Sequence, residues 1–171
     1  MDKNRLEAFS DGVIAIIITI MVLELKTPHG NDLESLKPLL PVLVSYLLSF
    51  VFIGIYWNNH HHLFKASECV NGAILWANLH LLFWLSLVPF TTSWLGETGL
   101  ESVPVALYGF VLLMAGVAYF IVSRLLIAQP GCNALLASAI GEDRKGQISV
   151  LIYLAGILLA FWYPLLGYIL Y

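Results

Sequence analysis

The sequence predicts an all-α membrane protein, and its composition and its apolar runs are the observations behind this fold class. Hydrophobic residues make up 60% of the chain and charged residues only 11%, whereas roughly a quarter of a soluble globular domain is charged. The mean hydropathy is +0.85. Several apolar runs reach about 20 residues, the length at which an α-helix crosses a hydrocarbon core. We therefore expect a polytopic protein built from membrane-spanning helices.

The charge and the cysteine content argue against other classes of protein. The net charge is −3 at pH 7 and no basic run is present that would neutralise phosphates, so nucleic acid is not an expected partner. Cys69 and Cys132 lie far apart and form no Cys-x-x-Cys pair. We interpret them as free thiols, with neither a zinc site nor a disulfide framework.

The first apolar segment, residues 6–25, begins with a cluster of polar groups. Asp11 is the anomaly within it, because a carboxylate near the apolar zone costs about 2.5–3.5 kcal/mol unless another group satisfies it. Arg5 lies about 240° around the helix from Asp11, so the two side chains do not share a face. The partner of Asp11 is therefore expected on another helix.

Two stripes run along this first helix. Small side chains that would let another backbone approach closely are Ala8, Gly12, Ala15 and Thr19. A neighbouring stripe, apolar except for one hydroxyl, consists of Ile16, Thr19, Ile20 and Leu23. Copies of the helix around an axis would turn this second stripe into rings, whereas a lipid-facing or packed surface is the ordinary interpretation of the same pattern.

The second and third segments carry polar groups of their own. A turn-forming connection at residues 26–37 precedes the second segment, residues 38–59. The third segment, residues 69–92, contains Asn78 and His80. A polar side chain in hydrocarbon is expected to find an interhelical hydrogen bond, so packing is the ordinary role for both residues.

The rest of the chain is predicted to contain two loops and further apolar segments. Residues 96–99 are expected to form a short acidic loop, and residues 103–127 a fourth span. Residues 128–147 are expected to be a loop that includes a short surface helix at 133–140. The last apolar stretch, residues 148–171, contains an internal proline, so that one long helix or two short helices would fit.

Three consecutive histidines close the second segment: His60, His61 and His62. Adjacent helical residues point about 100° apart and cannot converge on one ion, so no structural metal and no cofactor are predicted. Trp57 and His61 are four residues apart and share one face of the helix, near the side of the membrane where Asp11 lies.

An Arg-x-x-x-Phe-Ser-Asp-Gly pattern opens the first segment, with the residues Arg5, Phe9, Ser10, Asp11 and Gly12. It resembles the signature of the transmembrane protein 175 family, potassium-permeable channels of endosomes, lysosomes and many bacteria. The chain carries the motif once, as in the bacterial single-repeat branch. The resemblance therefore implies a potassium channel built as a homotetramer, with four first helices around the pore.

The resemblance also implies six helices in one channel domain that covers residues 1–171. The last two would be a hairpin of residues 147–161 and 163–171, turning at the interface near Trp162 and Pro164. Because family members usually continue further, we expect the C-terminus of this chain to be truncated.

Carried over by position, the family's pore-lining residues fall on Ile16, Ile20 and Leu23, with Thr19 between them, and Ile16 is expected to form the narrowest ring. The motif residues would hold the helix in place and not touch the ion. The resemblance places Trp57 and His61 in a polar network with the motif, and we predict that His61 is a partner of Asp11 or Ser10. A histidine in interfacial water is the alternative. Two further candidates for the network are Asn78 and His80.

The expected selectivity is moderate. The chain has no Thr-Val-Gly-Tyr-Gly loop that would supply carbonyl oxygens, so a hydrophobic constriction must act instead. An ion that passes it sheds part of its water, and potassium holds water less tightly than sodium. The Thr19 hydroxyls are candidate compensating ligands for potassium.

Basic residues set the expected orientation in the bilayer. With the N-terminus inside, the cytoplasmic set is Lys3, Arg5, Lys65, Arg124, Arg144 and Lys145, and the outer set is Lys26 and Lys37. The excess on one side predicts a cytoplasmic N-terminus, and the resemblance to the bacterial branch implies a multi-pass protein of the bacterial plasma membrane.

Two other functions are weighed against the channel. A secondary transporter would show inverted repeats with matched helix breaks, and no such repeat is found in the sequence. A membrane enzyme would draw on His61, His80, Ser10 and Asp11, which no metal-ligand spacing or nucleophile motif accompanies. We therefore predict that the protein is not an enzyme.

Overall fold

The structure, a computed structural model, describes residues 2–67, 69–128 and 144–171, with only the backbone given for 144–147. This described part of the chain is helical and has no strand, which confirms the all-α fold class. Its α-helices are α1 (Lys3–Leu23), α2 (Leu40–Lys65), α3 (Gly72–Ser86), α4 (Val88–Thr98), α5 (Ser102–Ile127), α6 (Arg144–Ala160) and α7 (Pro164–Ile169). A short 3-10 helix, Leu33–Leu39, leads into α2.

Four stretches in the described ranges are long and apolar enough to cross a membrane: Lys3–Leu23, Leu33–Lys65, Gly72–Thr98 and Ser102–Ile127. The third of them joins α3 and α4. A shorter apolar stretch, Ile148–Ala160, follows, and the six residues of α7 complete a hairpin with it. The described chain thus has four spans of full length and one shorter helical hairpin, in agreement with the expected fold of about six helices that ends in a hairpin.

Helix α5 lies at the centre of the bundle and contacts α3, α4, α6 and α7. In the most apolar 18-residue stretch of each span, the share of buried residues is 56% for α5, 28% for α1 and 17% for the span that contains α2. Helix α1 packs against α2, α3 and α4. Much of the surface of α1 and α2 is therefore left uncovered by the described part of the chain.

Polar side chains at the helix starts satisfy backbone N–H groups that have no partner inside the helix. The Asp2 carboxylate accepts the N–H of Asn4 over 3.2 Å at the start of α1. The Asn71 side chain accepts the N–H of Ile74 over 2.9 Å at the start of α3. At the start of α2 the missing N–H of Pro41 falls in the first turn, where it has no intrahelical partner to lose.

The third span is longer than predicted, because α4 continues to Thr98 after a break at Leu87. The predicted loop at residues 96–99 is therefore wrong for its first three residues. Gly96 packs against α2 so closely that a Cβ on it would lie 2.7 Å from the Cα of Val42. Small residues of this kind let membrane helices approach closely, and the helix ends at Gly99, whose φ is +68°.

A buried group of hydroxyls joins α2, α4 and α5. The Ser49 Oγ lies 2.7 Å from the Thr92 Oγ1 and 3.0 Å from the Tyr108 hydroxyl. Because Thr92 donates its own hydrogen to the Val88 carbonyl over 2.7 Å, Ser49 donates to Thr92 and Tyr108 donates to Ser49. All of these hydroxyls are buried and paired, as polar groups inside a membrane bundle must be.

The chain reverses between α6 and α7 at residues 161–163. The two helices touch through glycines, since a Cβ on Gly167 would lie 2.7 Å from the Gly156 carbonyl oxygen.

Near the other end of the bundle Cys69 is disulfide-bonded, so the interpretation of it as a free thiol is wrong. Cys132 and the predicted surface helix at 133–140 lie outside the described residues.

Candidate functional site

The N-terminal half of α1 is held to α2 and α3 by a directed chain of hydrogen bonds. The Ser10 hydroxyl donates to the Leu6 carbonyl over 2.9 Å, and the Asn78 Nδ2 donates to the Ser10 Oγ over 2.8 Å. The Asn78 Oδ1 lies 2.8 Å from the His60 Nε2. Since a carbonyl oxygen only accepts, His60 carries its proton on Nε2. Ser10, His60 and Asn78 are each at most 1% exposed.

A second, partly exposed set of contacts lies beside this chain. The Trp57 Nε1 donates to the Asp11 Oδ1 over 3.0 Å. One helical turn further toward the N-terminus of α1, the Glu7 carboxylate lies 3.9 Å from the His61 Nδ1. The Trp57 and His61 rings stack, with centroids 6.1 Å apart. Two carboxylates of α1 thus face two rings of the antiparallel α2, each pair four residues apart.

The structure redistributes the predicted partners of the motif. His61 was expected beside Asp11 or Ser10, but Asp11 is bonded to Trp57, and Ser10 is bonded to Asn78. His61 lies beside Glu7 instead. The reason is the helical rotation of about 100° between neighbours, which turns His60 into the bundle and His61 toward its edge.

Sequence reasoning missed His60, although a signal for it exists. The buried residues of α2 are Ser45, Ser49, Ile53, His60, Leu63 and Phe64. The step of seven residues from Ile53, which is about two helical turns, leads to position 60 and not to position 61. The imidazole of His60 stacks on Phe64 with centroids 4.4 Å apart, and its Nδ1 has no hydrogen-bond partner among the described residues.

Of the two candidate members on α3, only Asn78 joins this network. His80 lies two positions further along the helix, on a different face, and its Nε2 accepts the indole N–H of Trp84 over 2.8 Å. The pair is local to α3, four residues apart. His80 therefore contributes to the aromatic surface of α3 and not to the contacts of α1.

The motif divides between two faces of α1. Ser10 is buried in the bundle and Asp11 is half-buried beside Trp57. The remaining motif residues, Arg5, Phe9 and Gly12, are exposed. A Cβ on Gly12 would meet no atom within 4 Å, so this side of the helix is open in the single chain.

The exposed face continues along the predicted pore stripe. Ile16 is 59% exposed, Ile20 41% and Leu23 79%, and Thr19 is exposed between them. The Thr19 hydroxyl donates to the Ile16 carbonyl over 2.8 Å, which leaves its oxygen lone pairs facing outward. The opposite, buried face of α1 consists of Leu6, Ser10, Ile14, Ile17 and Met21.

The C-terminal end of α1 is tied to α4. The Ser93 hydroxyl donates to the Glu24 carboxylate over 3.0 Å, and the Lys26 ammonium donates to the Glu97 carboxylate over 2.5 Å. The Glu97 carboxylate raises the pKa of Lys26 by accepting this hydrogen bond. Helix α1 is thus tied to its neighbours at both ends, while the apolar residues Ile16, Ile20 and Leu23 of its outer stripe stay exposed.

Comparisons with known proteins identify the family to which the chain belongs. The family model described as "Endosomal/lysosomal potassium channel TMEM175" matches residues 5–89. A potassium channel of Chryseobacterium sp. (strain P1-3) is 55% identical over 164 residues, which cover 96% of this chain and 85% of the relative. A potassium channel of Streptomyces collinus is 36% identical over 126 residues, 69% of this chain and 61% of the relative.

A solved structure supports the same assignment. The crystal structure of a lysosomal potassium-selective channel TMEM175 homolog from Chamaesiphon minutus matches with a TM-score of 0.84 and 28% sequence identity. The match covers 98% of this chain and 91% of that one. The all-helical bundle, the motif at the start of α1 and these relatives together show that the chain is a multi-pass membrane protein of the TMEM175 potassium channel family.

Proposed function

We propose that the protein is a homotetrameric, potassium-permeable channel of a bacterial plasma membrane, with a cytoplasmic N-terminus. The observation that carries this proposal is the division of α1 into a buried face anchored to α2, α3 and α4 and an exposed apolar stripe. Four such stripes around an axis would line a pore with Ile16, Ile20 and Leu23. The names of the bacterial relatives, which are potassium channels, support transport over catalysis.

The constriction is proposed at Ile16, one helical turn from Ile20 toward the N-terminus of α1. A ring of isoleucines excludes water, so an ion must lose part of its hydration shell to pass. Because potassium sheds water more readily than sodium, the ring favours potassium moderately, and the outward oxygens of Thr19 compensate some of the lost water. The hydrogen bond from Thr19 to the Ile16 carbonyl leaves those oxygens free to accept the cation.

The test is ion flux through the purified protein in liposomes under an imposed potassium gradient. We expect sustained electrogenic potassium flux in the wild type and a lower preference for potassium over sodium in Ile16→Asn, since the amide keeps the ring hydrated. Leu47→Asn is the matched control, because Leu47 is also apolar and 58% exposed but lies on α2. The control variant should keep the wild-type selectivity.

Two outcomes would contradict the proposal. Flux that saturates and requires a counter-ion would indicate a secondary transporter. Equal loss of selectivity in Ile16→Asn and Leu47→Asn would mean that the α1 stripe is not the constriction. The tetramer is tested separately by the native mass of the detergent-free complex, expected at four times the 19.0 kDa of the chain.

A further inference from the structure

A pocket of about 460 Å³ lies beside the Glu24 end of α1, between that helix and the α3–α4 break. Its volume is in the range of sites for small organic molecules. The lining residues that matter for its chemistry are Ile20, Glu24, Phe90, Ser93, Trp94 and Glu97. It is separate from the polar network at the other end of α1.

Aromatic rings form one wall of this pocket. Phe90 and Trp94 are one turn apart on α4, with ring centroids 6.1 Å apart and planes inclined by 30°. Phe90 is 59% exposed, so its ring is accessible. The faces of aromatic rings attract cations, and tryptophan does so most strongly.

Carboxylates stand beside the rings. Glu97 lies three residues after Trp94 on the same helix, and Glu24 is fixed by the hydroxyl of Ser93 at 3.0 Å. Ile20 adds an apolar surface one turn along α1. A pocket with aromatic faces, carboxylates and an apolar end matches a cation that has an organic body better than a bare metal ion, which prefers a cage of oxygens.

One carboxylate of the pocket, Glu97, is already paired with the ammonium group of Lys26, a residue that does not itself line the pocket. The Lys26 Nζ lies 2.5 Å from the Glu97 Oε1, and the lysine side chain is 75% exposed. A side chain that exposed can move away from Glu97 at little cost, because exposed ion pairs contribute little. The carboxylate of the pocket therefore carries an ammonium that a ligand can displace.

We propose that this pocket binds small quaternary ammonium ions, with the charged head beside Trp94 and Glu97 and the organic body toward Ile20. The pocket shares Ile20 with the proposed pore stripe, but binding at it can be measured whether or not the chain conducts potassium. Its test is therefore a binding measurement on the full-length protein in lipid nanodiscs, at constant ionic strength, and not a flux measurement.

The probe is choline, compared with its neutral carbon isostere 3,3-dimethylbutan-1-ol, by titration calorimetry. The two molecules have the same shape, so a difference in affinity reports the positive charge. We expect choline to bind at least about tenfold more tightly. Equal binding of the two would overturn the proposal, because the pocket would then recognise only an apolar shape.

Variants separate this site from the general negative charge of the protein. Trp94→Leu should weaken choline binding about fivefold, whereas Trp94→Phe, which keeps a ring, should retain most of it. Glu97→Gln should weaken binding, and Glu101→Gln, an exposed carboxylate at the same end of the bundle that does not line the pocket, should not. Equal effects of the two glutamate variants would contradict the proposal.

The sharpest variant is Lys26→Met, because it removes the competing ammonium. Its choline affinity should increase several-fold over the wild type. A purely structural role of the Lys26–Glu97 pair predicts the opposite, since loss of the pair would loosen α4 and weaken binding. An unchanged or lower affinity in Lys26→Met would therefore overturn the proposed competition and the site with it.

Discussion

The indole N–H of Trp57 donates a 3.0 Å hydrogen bond to the Asp11 carboxylate, so among the described side chains a neutral donor and not a cation satisfies this group near the apolar zone. The partner expected for Asp11 on another helix is thus Trp57 of α2, and the contact lies close to the helix face on which the proposed pore stripe begins.

Trp57→Phe should lower the stability of the protein by about 1 kcal/mol, because it removes a hydrogen bond to a charged group that is partly exposed. Thermal unfolding in detergent measures the change. The double variant with Asp11→Asn should be more stable than the sum of the single changes predicts. Trp76→Phe, at a position 75% exposed on α3, serves as the control, and additivity of the two α1–α2 variants would contradict the contact.

His60→Ala should destabilise the protein far more than His61→Ala. The first variant leaves the Asn78 Oδ1 unpaired in the bundle, at a cost of about 2 kcal/mol with the lost packing on Phe64. The second removes a partly exposed contact with Glu7, worth less than about 1 kcal/mol. The two unfolding midpoints compared under one condition decide the matter, and equal midpoints would show that the assignment of the inward histidine is wrong.

Gly96→Ala should separate α2 from α4, because the new Cβ would lie 2.7 Å from the Cα of Val42. We expect a loss of about 1–3 kcal/mol, the usual cost of overpacking. Gly54→Ala is the matched control, since a Cβ on Gly54 meets no atom within 4 Å and alanine favours the helix by about 0.5–1 kcal/mol. Destabilisation of both variants alike would point to a general intolerance of α2 and α4.

The Lys26–Glu97 pair should show a pH dependence with a defined sign. Because Glu97 raises the pKa of Lys26 above its usual 10.5, the pair stabilises the fold at pH values below 10.5 and loses its effect as the pH rises through the raised pKa. The unfolding temperatures of wild type and Lys26→Met should therefore differ slightly at neutral pH, since the pair is exposed, and converge as the pH rises through the raised pKa of Lys26. A difference that stays constant from pH 8 to 11.5 would exclude the ionic contribution.

Much of the fold follows from the apolar runs alone, because a membrane span needs only length and hydropathy. The ends of spans are less predictable. Gly96 was interpreted as a loop residue from its neighbours Glu97 and Gly99, whereas its role is a close contact with Val42. Such a contact depends on the register of two helices distant in sequence, which the local composition does not contain.

The candidate site, like the fold, was predictable from the sequence only in part. The exposure of Ile16 and Ile20 agrees with the stripe written in the sequence, since residues four apart share a face. The choice between His60 and His61 depended on which of the two neighbouring residues of α2 turns into the bundle. The buried small residues Ser45 and Ser49 earlier in α2 indicate His60. The spacing of four residues between Trp57 and His61 indicated His61, which was wrong.

The chain of donors that ends at the Leu6 carbonyl can run in one direction only, because its last acceptor has no hydrogen to give. Position 78 must therefore accept from one neighbour and donate to the other at the same time. In a saturation library Asp and Leu should be depleted at this position although both are close to asparagine in shape, because an ionised carboxylate only accepts and a leucine side chain does neither. The amide therefore fits only between a donor at position 60 and an acceptor at position 10. Substitutions at positions 10 and 60 should be tolerated only in combinations that keep this order of donors and acceptors.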